Sequence, residues 1–198
     1  MAPPFRHPEL IVPTDEFPAN ERSAIFLAAS QAMLLDVFAY SIAAAVALID
    51  YCEMGLGAPD EWREIAARDV AMNAYHFSRA LKFIDKLNAP SVRGRYDKEA
   101  VDSAIRITNA RIPDAEAIRN AVGHVADNVR SMDVLLSHAV DGNHALGRLD
   151  GRTFSVTKDG RRYVLVIDAS LAETVRNAAR MVMGAFMDAG IIRHPVPA

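Results

Sequence analysis

The sequence predicts a mainly α fold, an up-and-down helical bundle with a small β-hairpin before the C-terminal helix. Alanine is abundant and aromatic residues form only 7% of the 198 residues, which favours close helix packing over a sheet sandwich. Several long segments repeat apolar residues every three or four positions, as helices with one buried face do. An Asp-Gly step at residues 159 and 160 separates two short segments rich in β-branched residues, which is typical of a hairpin.

The length fits one domain that can bury a core without disulfides or metals. Residues 1–18 are rich in proline and are predicted to form an extended N-terminal arm. Residues 19–198 are predicted to form a single helical-bundle domain that includes the hairpin at 151–167.

The first helix is expected from Asn20, as its N-cap, to about Glu53. Its apolar residues cover most of its circumference, so we expect cover on several sides, from its own bundle or from a second copy of the chain. Asp36 interrupts the apolar run, and the part from Val37 to Ile49 is too short to span the ~30 Å hydrocarbon core of a bilayer. We therefore expect a bundle helix and no membrane association.

Three further helices are predicted before the hairpin. The second runs from Pro59 to about Leu87, and a shorter third from about Asp97 to Ala110. The fourth is predicted as one continuous helix from Pro113 to Ala139, because its apolar residues alternate spacings of four and three. These apolar positions are Ile118, Val122, Val125, Val129, Met132, Leu136 and Ala139.

The hairpin is predicted from strands at Arg152–Thr157 and Arg161–Ile167 around Lys158-Asp159-Gly160. A lone hairpin is marginal in water, so its apolar side chains should pack on the bundle. A final helix follows, capped by Asp168 or Ser170 and running to about Asp188.

Charge and cysteine content argue against a strongly basic protein and against a disulfide-stabilised one. The net charge of −3 gives no overall basic field, but residues 148–162 hold five bases against two acids, a net of +3. This basic hairpin either meets a polyanion or is a solvated turn. Cys52 is the single cysteine, so no disulfide framework exists and a cytoplasmic location is expected.

Common catalytic and cofactor motifs do not occur in the sequence. There is no His-Glu-x-x-His zinc motif, phosphate-binding loop, dinucleotide-binding glycine motif or Gly-x-Ser-x-Gly nucleophile elbow. His138 and His144 flank a predicted helix end, but a third metal ligand is not evident. We expect neither a cofactor nor a metal.

The candidate site is a group of polar residues on the fourth predicted helix. Arg119, Asn120 and His124 lie within six residues on a helix whose apolar stripe does not need them. The Arg119…His124 spacing, with Asn120 directly after the arginine, resembles the R-x4-6-H motif of HEPN domains. The predicted order of two long helices before the motif also resembles these domains, and the C-terminal hairpin and helix resemble an elaboration of the abortive-infection type.

The resemblance implies a homodimer in which the motifs of two copies face one another. It also implies metal-independent endoribonuclease activity or RNA binding, in a toxin or phage-defence system with an antitoxin or neighbouring protein as partner. His124 would exchange a proton as general acid or base, Arg119 would stabilise charge on phosphoryl oxygens, and Asn120 would orient the substrate.

Helical geometry bears on this hypothesis. Residues five apart on an ideal helix differ by about 140° in direction, so Arg119 and His124 of one copy flank the apolar stripe on opposite sides. A shared site is easier to build from two copies related by symmetry. The alternatives are that Arg119 forms a surface ion pair with Asp114 or Glu116, and that the protein is a non-catalytic helical homodimer acting as a binding module.

Overall fold

The computed structural model describes residues 10–55, 59–92, 94–123, 131–141 and 143–194. A 3-10 turn at Thr14–Glu16 precedes the first helix. The helices described are α1 (Arg22–Glu53), α2 (Asp60–Asp85), α3 (Lys98–Arg111), α4 (Ala115–Gly123), α5 (Met132–His138) and α6 (Ala169–Asp188). Three strands, β1 (Leu146–Asp150), β2 (Thr153–Lys158) and β3 (Arg161–Val166), lie between α5 and α6. The predicted mainly α fold with a small sheet before the last helix is confirmed.

The core is built around α1, which packs against α2 on one side and α6 on another. Its buried stripe combines Ile25, Leu35, Ile42 and Ile49 with several alanines, and these small side chains allow the helices to lie close together. The third helix, α3, packs on α6 and α2. Because α1 contributes residues to two helix interfaces, the predicted bundle helix is confirmed.

Within the described ranges, α1 is the one helix long and apolar enough to cross a membrane when judged by length and composition alone. The central helix of a water-soluble bundle passes the same test. α1 contacts α2 and α6, and 39% of its apolar 18-residue window is buried.

Side-chain caps explain where two of the helices begin. Asp97 accepts a hydrogen bond from the Ala100 amide at 3.0 Å, and Asp168 accepts one from the Leu171 amide at 2.9 Å. The sequence allowed either Asp168 or Ser170 as the cap of this helix, and Asp168 is the residue that caps it.

The predicted N-cap of α1 is wrong. Glu21, and not Asn20, precedes the helix, and its side chain does not cap it. The buried carboxylate of Glu21 instead accepts hydrogen bonds from the Ser91 amide and hydroxyl, at 2.9 and 2.7 Å. It therefore fixes the α2–α3 loop to the start of α1.

The sheet has three antiparallel strands in the order β1-β2-β3. The two predicted strands are confirmed to within one residue at either end. The third strand, β1, is missing from the prediction because Asp141-Gly142-Asn143 and Gly147 suggest a loop. A bulge between Leu146 and Arg148 accommodates Gly147, and its φ of +89° suits glycine.

The predicted continuous fourth helix is wrong. α4 ends at Gly123, residues 124–130 lie outside the described ranges, and Ser131 is extended with φ −152° and ψ 162°. The Ser131 hydroxyl accepts a hydrogen bond from the Val134 amide at 3.3 Å, so a separate helix begins there. Ile118 is buried as predicted, whereas Met132 and Leu136 are exposed and do not extend the core stripe.

The two ends of the described chain meet. The backbones of Ile11 and Arg193 exchange hydrogen bonds, and Arg193 contacts Glu16 through two bonds of 2.6 Å. Phe17 is buried at 4% exposure. The predicted extended arm is therefore fixed to the body from residue 10 onward.

Candidate functional site

Two of the three motif residues lie together on α4. The guanidinium of Arg119 donates a hydrogen bond to the Asn120 side-chain oxygen at 3.0 Å and lies over the Tyr75 ring, 5.3 Å from its centroid. A Cβ at Gly123 would meet the same guanidinium at 3.9 Å. Arg119 is thus held between α2 and the end of its own helix. His124, the third predicted residue, lies outside the described residues.

Asn120 opens onto a groove of about 460 Å³ that three parts of the fold enclose. α2 contributes Tyr75, Ser78, Arg79 and Lys82. The second wall is formed by residues between Asn109 and Asn120, from the end of α3 through the short linker to the first turns of α4. The turn between β2 and β3 forms the third wall with Lys158, Asp159, Arg161 and Tyr163. We call this the α2–α4–hairpin groove.

Both signs of charge line the groove: the α2 wall is basic, the α4 wall is acidic and the hairpin wall carries both. The bases Arg79 and Lys82 belong to α2, and Lys158 and Arg161 belong to the hairpin turn. The acids are Asp114, Glu116 and Asp159, so the lining charges sum to 4 − 3 = +1. Asp114 and Glu116 lie at the start of α4, where the helix dipole stabilises carboxylates. An anionic ligand is therefore attracted mainly to the α2 and hairpin walls.

The hairpin turn is fixed in place by local geometry. Asp159 and Gly160 have φ values of 51° and 67°, the two positive angles that a tight hairpin turn requires. The His138 Nδ1 accepts a hydrogen bond from the Asp159 amide at 3.0 Å, and the Asp159 carboxylate lies 3.2 Å from the same nitrogen. Because α5 carries His138, it holds the basic turn against the groove.

His144 lies in a neighbouring pocket of about 340 Å³ with Arg148, Arg162 and Thr157. Burial, with a smaller effect from His138, lowers the pKa of His144 below its ordinary value. The rings of His138 and His144 are 6.5 Å apart between centroids. Among the described residues no group of three His, Cys, Asp or Glu side chains is placed to hold a metal.

The contribution of α2 to the groove is not evident from the sequence. Arg79 and Lys82 occupy positions three apart on the exposed side of α2, which resembles an ordinary solvated face. His76, also on α2, is exposed and stacks on Phe38 at 5.6 Å between centroids.

Comparisons of this chain with protein-family models, curated proteins and solved structures find no match. The HEPN resemblance therefore rests on Arg119, Asn120 and His124 and on the order of helices.

Proposed function

We propose that the protein binds RNA in the α2–α4–hairpin groove and is a candidate metal-independent endoribonuclease. The observation that carries this proposal is the meeting of two features that are separate in the sequence. The basic hairpin turn faces the helix that bears Arg119 and Asn120, and both border one groove. The toxin or phage-defence setting, with an antitoxin or neighbouring protein as partner, belongs to the same proposal and comes from the HEPN resemblance alone.

The groove offers the contacts that a single-stranded RNA needs. Lys82, Lys158 and Arg161 can neutralise RNA phosphates, and this attraction is independent of base sequence. Asn120 has both a donor and an acceptor for base edges, and the Tyr163 ring borders the groove where an unpaired base can stack.

The proposed cleavage needs no metal. A ribose 2′-OH attacks the adjacent phosphorus, the bond to the 5′ oxygen breaks, and a cyclic phosphate and a free 5′-OH result. His124 would accept the proton from the 2′-OH or give one to the leaving oxygen, and Arg119 would stabilise charge on the phosphoryl oxygens. These roles follow the HEPN resemblance.

Binding is tested by charge reversal with a matched control. Lys158→Glu/Arg161→Glu changes the hairpin wall, whereas Arg176→Glu/Arg180→Glu makes the same change in charge on exposed positions of α6. Fluorescence anisotropy with a labelled single-stranded RNA should show affinity falling at least about tenfold in the hairpin variant only. The slope of log K against log salt should also become shallower by about one or two in that variant. Equal losses in both variants would place the RNA elsewhere.

Cleavage is tested with the same RNA in EDTA, comparing wild type with Arg119→Ala and His124→Ala. Decay that both substitutions abolish supports the motif as the catalyst. Equal decay in all three proteins excludes it. If the wild-type protein binds the RNA but does not cleave it, the protein is an RNA-binding protein and not a nuclease.

The second candidate function is a non-catalytic homodimer that acts as a binding module. The exposed apolar side of α1, which includes Phe26, Leu34 and Val37, favours it. Absence of both RNA binding and RNA decay would leave this candidate alone.

A further inference from the structure

The side of α1 that faces away from the bundle is apolar along almost the whole helix. Six large apolar side chains on this side are at least 38% exposed, namely Phe26, Leu27, Leu34, Val37, Tyr40 and Tyr51. Between Ser23 and Ile49 the one charged residue is Asp36, which lies about 100° around the helix from Val37. A solvent-facing helix surface normally carries charges, so this surface is unusual for water contact.

The apolar surface continues onto the neighbouring part of α2. Phe38 stacks on His76, and Gln31 shares a surface cleft with Arg79 and Phe83, so these sides of the two helices adjoin. The exposed part of α2 adds Trp62 and Ile65 toward its other end. We call the combined surface the α1–α2 outer face.

We propose that the α1–α2 outer face binds the same face of a second copy of this chain, with the two α1 helices antiparallel. The area is sufficient. The nine exposed large apolar side chains on this face, including Phe83 of α2, offer on the order of 800 Å², and a stable interface takes about 800 Å² from each partner. This inference does not depend on RNA binding.

Serines in the middle of this face carry little cost on burial. The Ser30 hydroxyl donates to the Phe26 carbonyl at 2.8 Å, and the Ser41 hydroxyl donates to the Val37 carbonyl at 3.0 Å. Both hydroxyl protons are satisfied inside the helix, so a covering surface leaves neither of them unpaired. Together with Ala44 and Ala47 they leave room for large side chains from a partner helix.

One two-fold rotation suits both helices. The contacts of Phe38 with His76 and of Glu53 with Arg63 show that α1 and α2 run side by side in opposite directions. An axis crossing α1 near Ser41 then crosses α2 near Met72. Large side chains meet small ones on α1, since Tyr40 faces Ala44 and Val37 faces Ala47 of the second copy.

The same rotation matches the ends of α2. Trp62 of one copy comes opposite Phe83 of the other, which makes an aromatic pair. Glu61 near the start of α2 comes opposite Lys86, which directly follows its end. Self-complementarity in both shape and charge is why a second copy is the proposed occupant.

The first test compares two valines of equal exposure. Val37 on this face and Val164 on the sheet are each 41% exposed. Light scattering after size exclusion should give twice the 21.6 kDa chain mass for wild type and for Val164→Glu, and the single mass for folded Val37→Glu. A single mass for wild type in detergent-free buffer overturns the proposal. So does an unchanged dimer in Val37→Glu.

The orientation is tested by cross-linking in a Cys52→Ala background. Ser41→Cys lies near the proposed axis, so two copies should form a disulfide on oxidation. Ser30→Cys is eleven residues away, and in an antiparallel pair its two copies lie about 30 Å apart or more along the helices. A cross-link at both positions would show a parallel pair and overturn the proposed arrangement.

A lipid bilayer is the competing occupant of an apolar helix face. Flotation with neutral phosphatidylcholine vesicles distinguishes a lipid bilayer from a second copy of the chain as the occupant. Wild-type protein that remains dimeric and does not float supports the proposal. Monomers that float with the vesicles overturn it.

Discussion

Asp168 joins three elements at the point where the sheet meets the last helix. Its carboxylate accepts hydrogen bonds from the Leu171 amide, the Ser170 hydroxyl and Arg111, at 2.9, 2.8 and 2.7 Å. Arg111 also donates to the Val166 carbonyl at 3.1 Å, so α3, β3 and α6 are connected here. Burial acts to raise the pKa of Asp168, but the three donors and the Arg111 charge outweigh it and lower the pKa below its ordinary value.

A lowered carboxyl pKa stabilises the fold at pH values above the ordinary pKa of the unfolded chain, and this stabilisation is lost as pH falls through the folded value. Asp168→Asn keeps a capping oxygen but removes the charge, so it should cost about 1 kcal/mol at pH 7, and Asp168→Ala about 2 kcal/mol. In urea unfolding, the difference between wild type and Asp168→Asn should shrink as pH falls below about 4. Asp188→Asn, at the far end of α6, should not be destabilising, and an equal loss there would contradict the assignment.

At the scale of elements, β1 depends on one glycine. Gly147 has φ +89°, and a Cβ there would lie 2.9 Å from the Phe154 ring, which is fully buried. Gly147→Ala should therefore cost about 2–4 kcal/mol, from left-handed strain and overpacking together. Gly151→Ala is the matched control, because φ is +53° but no atom lies within 4 Å of its Cβ position. Unfolding free energies from urea titration should differ by about 1–3 kcal/mol between the variants, and equal values would contradict this packing.

Short sequence patterns predicted the elements that depend mainly on neighbouring residues. The Asp-Gly turn and its β-branched flanks are sufficient for β2 and β3, and the apolar repeat is sufficient for α1. The fourth helix shows the limit. The repeat from Pro113 to Ala139 fits one helix, yet Ser131 is extended and caps a new helix. An N-cap serine inside an apolar repeat is a signal for a break, but it competes with a periodicity that continues through it.

At the scale of the molecule, the groove shows what a sequence cannot supply. Asn120, Lys82 and Lys158 are far apart along the chain and meet because α4 packs beside α2 and the hairpin packs on α4. Asn120 and the basic hairpin were each found from the sequence, but their proximity is a property of the packing. The aromatic series Phe38, His76 and Tyr75 connects Arg119 to the edge of the α1–α2 outer face across α2. The motif therefore lies one helix away from the proposed dimer surface, so this pairing differs from the motif-to-motif homodimer that the HEPN resemblance implies.

Coupling between pairing and stability gives a prediction for the whole molecule. If folded copies pair through α1 and unfolded chains do not, dilution favours unfolding by mass action. Each tenfold rise in protein concentration should stabilise the folded dimer by about 1.4 kcal/mol per mole of dimer, and the urea midpoint should rise accordingly. Unfolding curves recorded at several concentrations should shift for wild type and Val164→Glu and coincide for Val37→Glu. A wild-type midpoint that does not change with concentration would show that α1 needs no partner to remain folded, since its core contacts with α2 and α6 would then be sufficient.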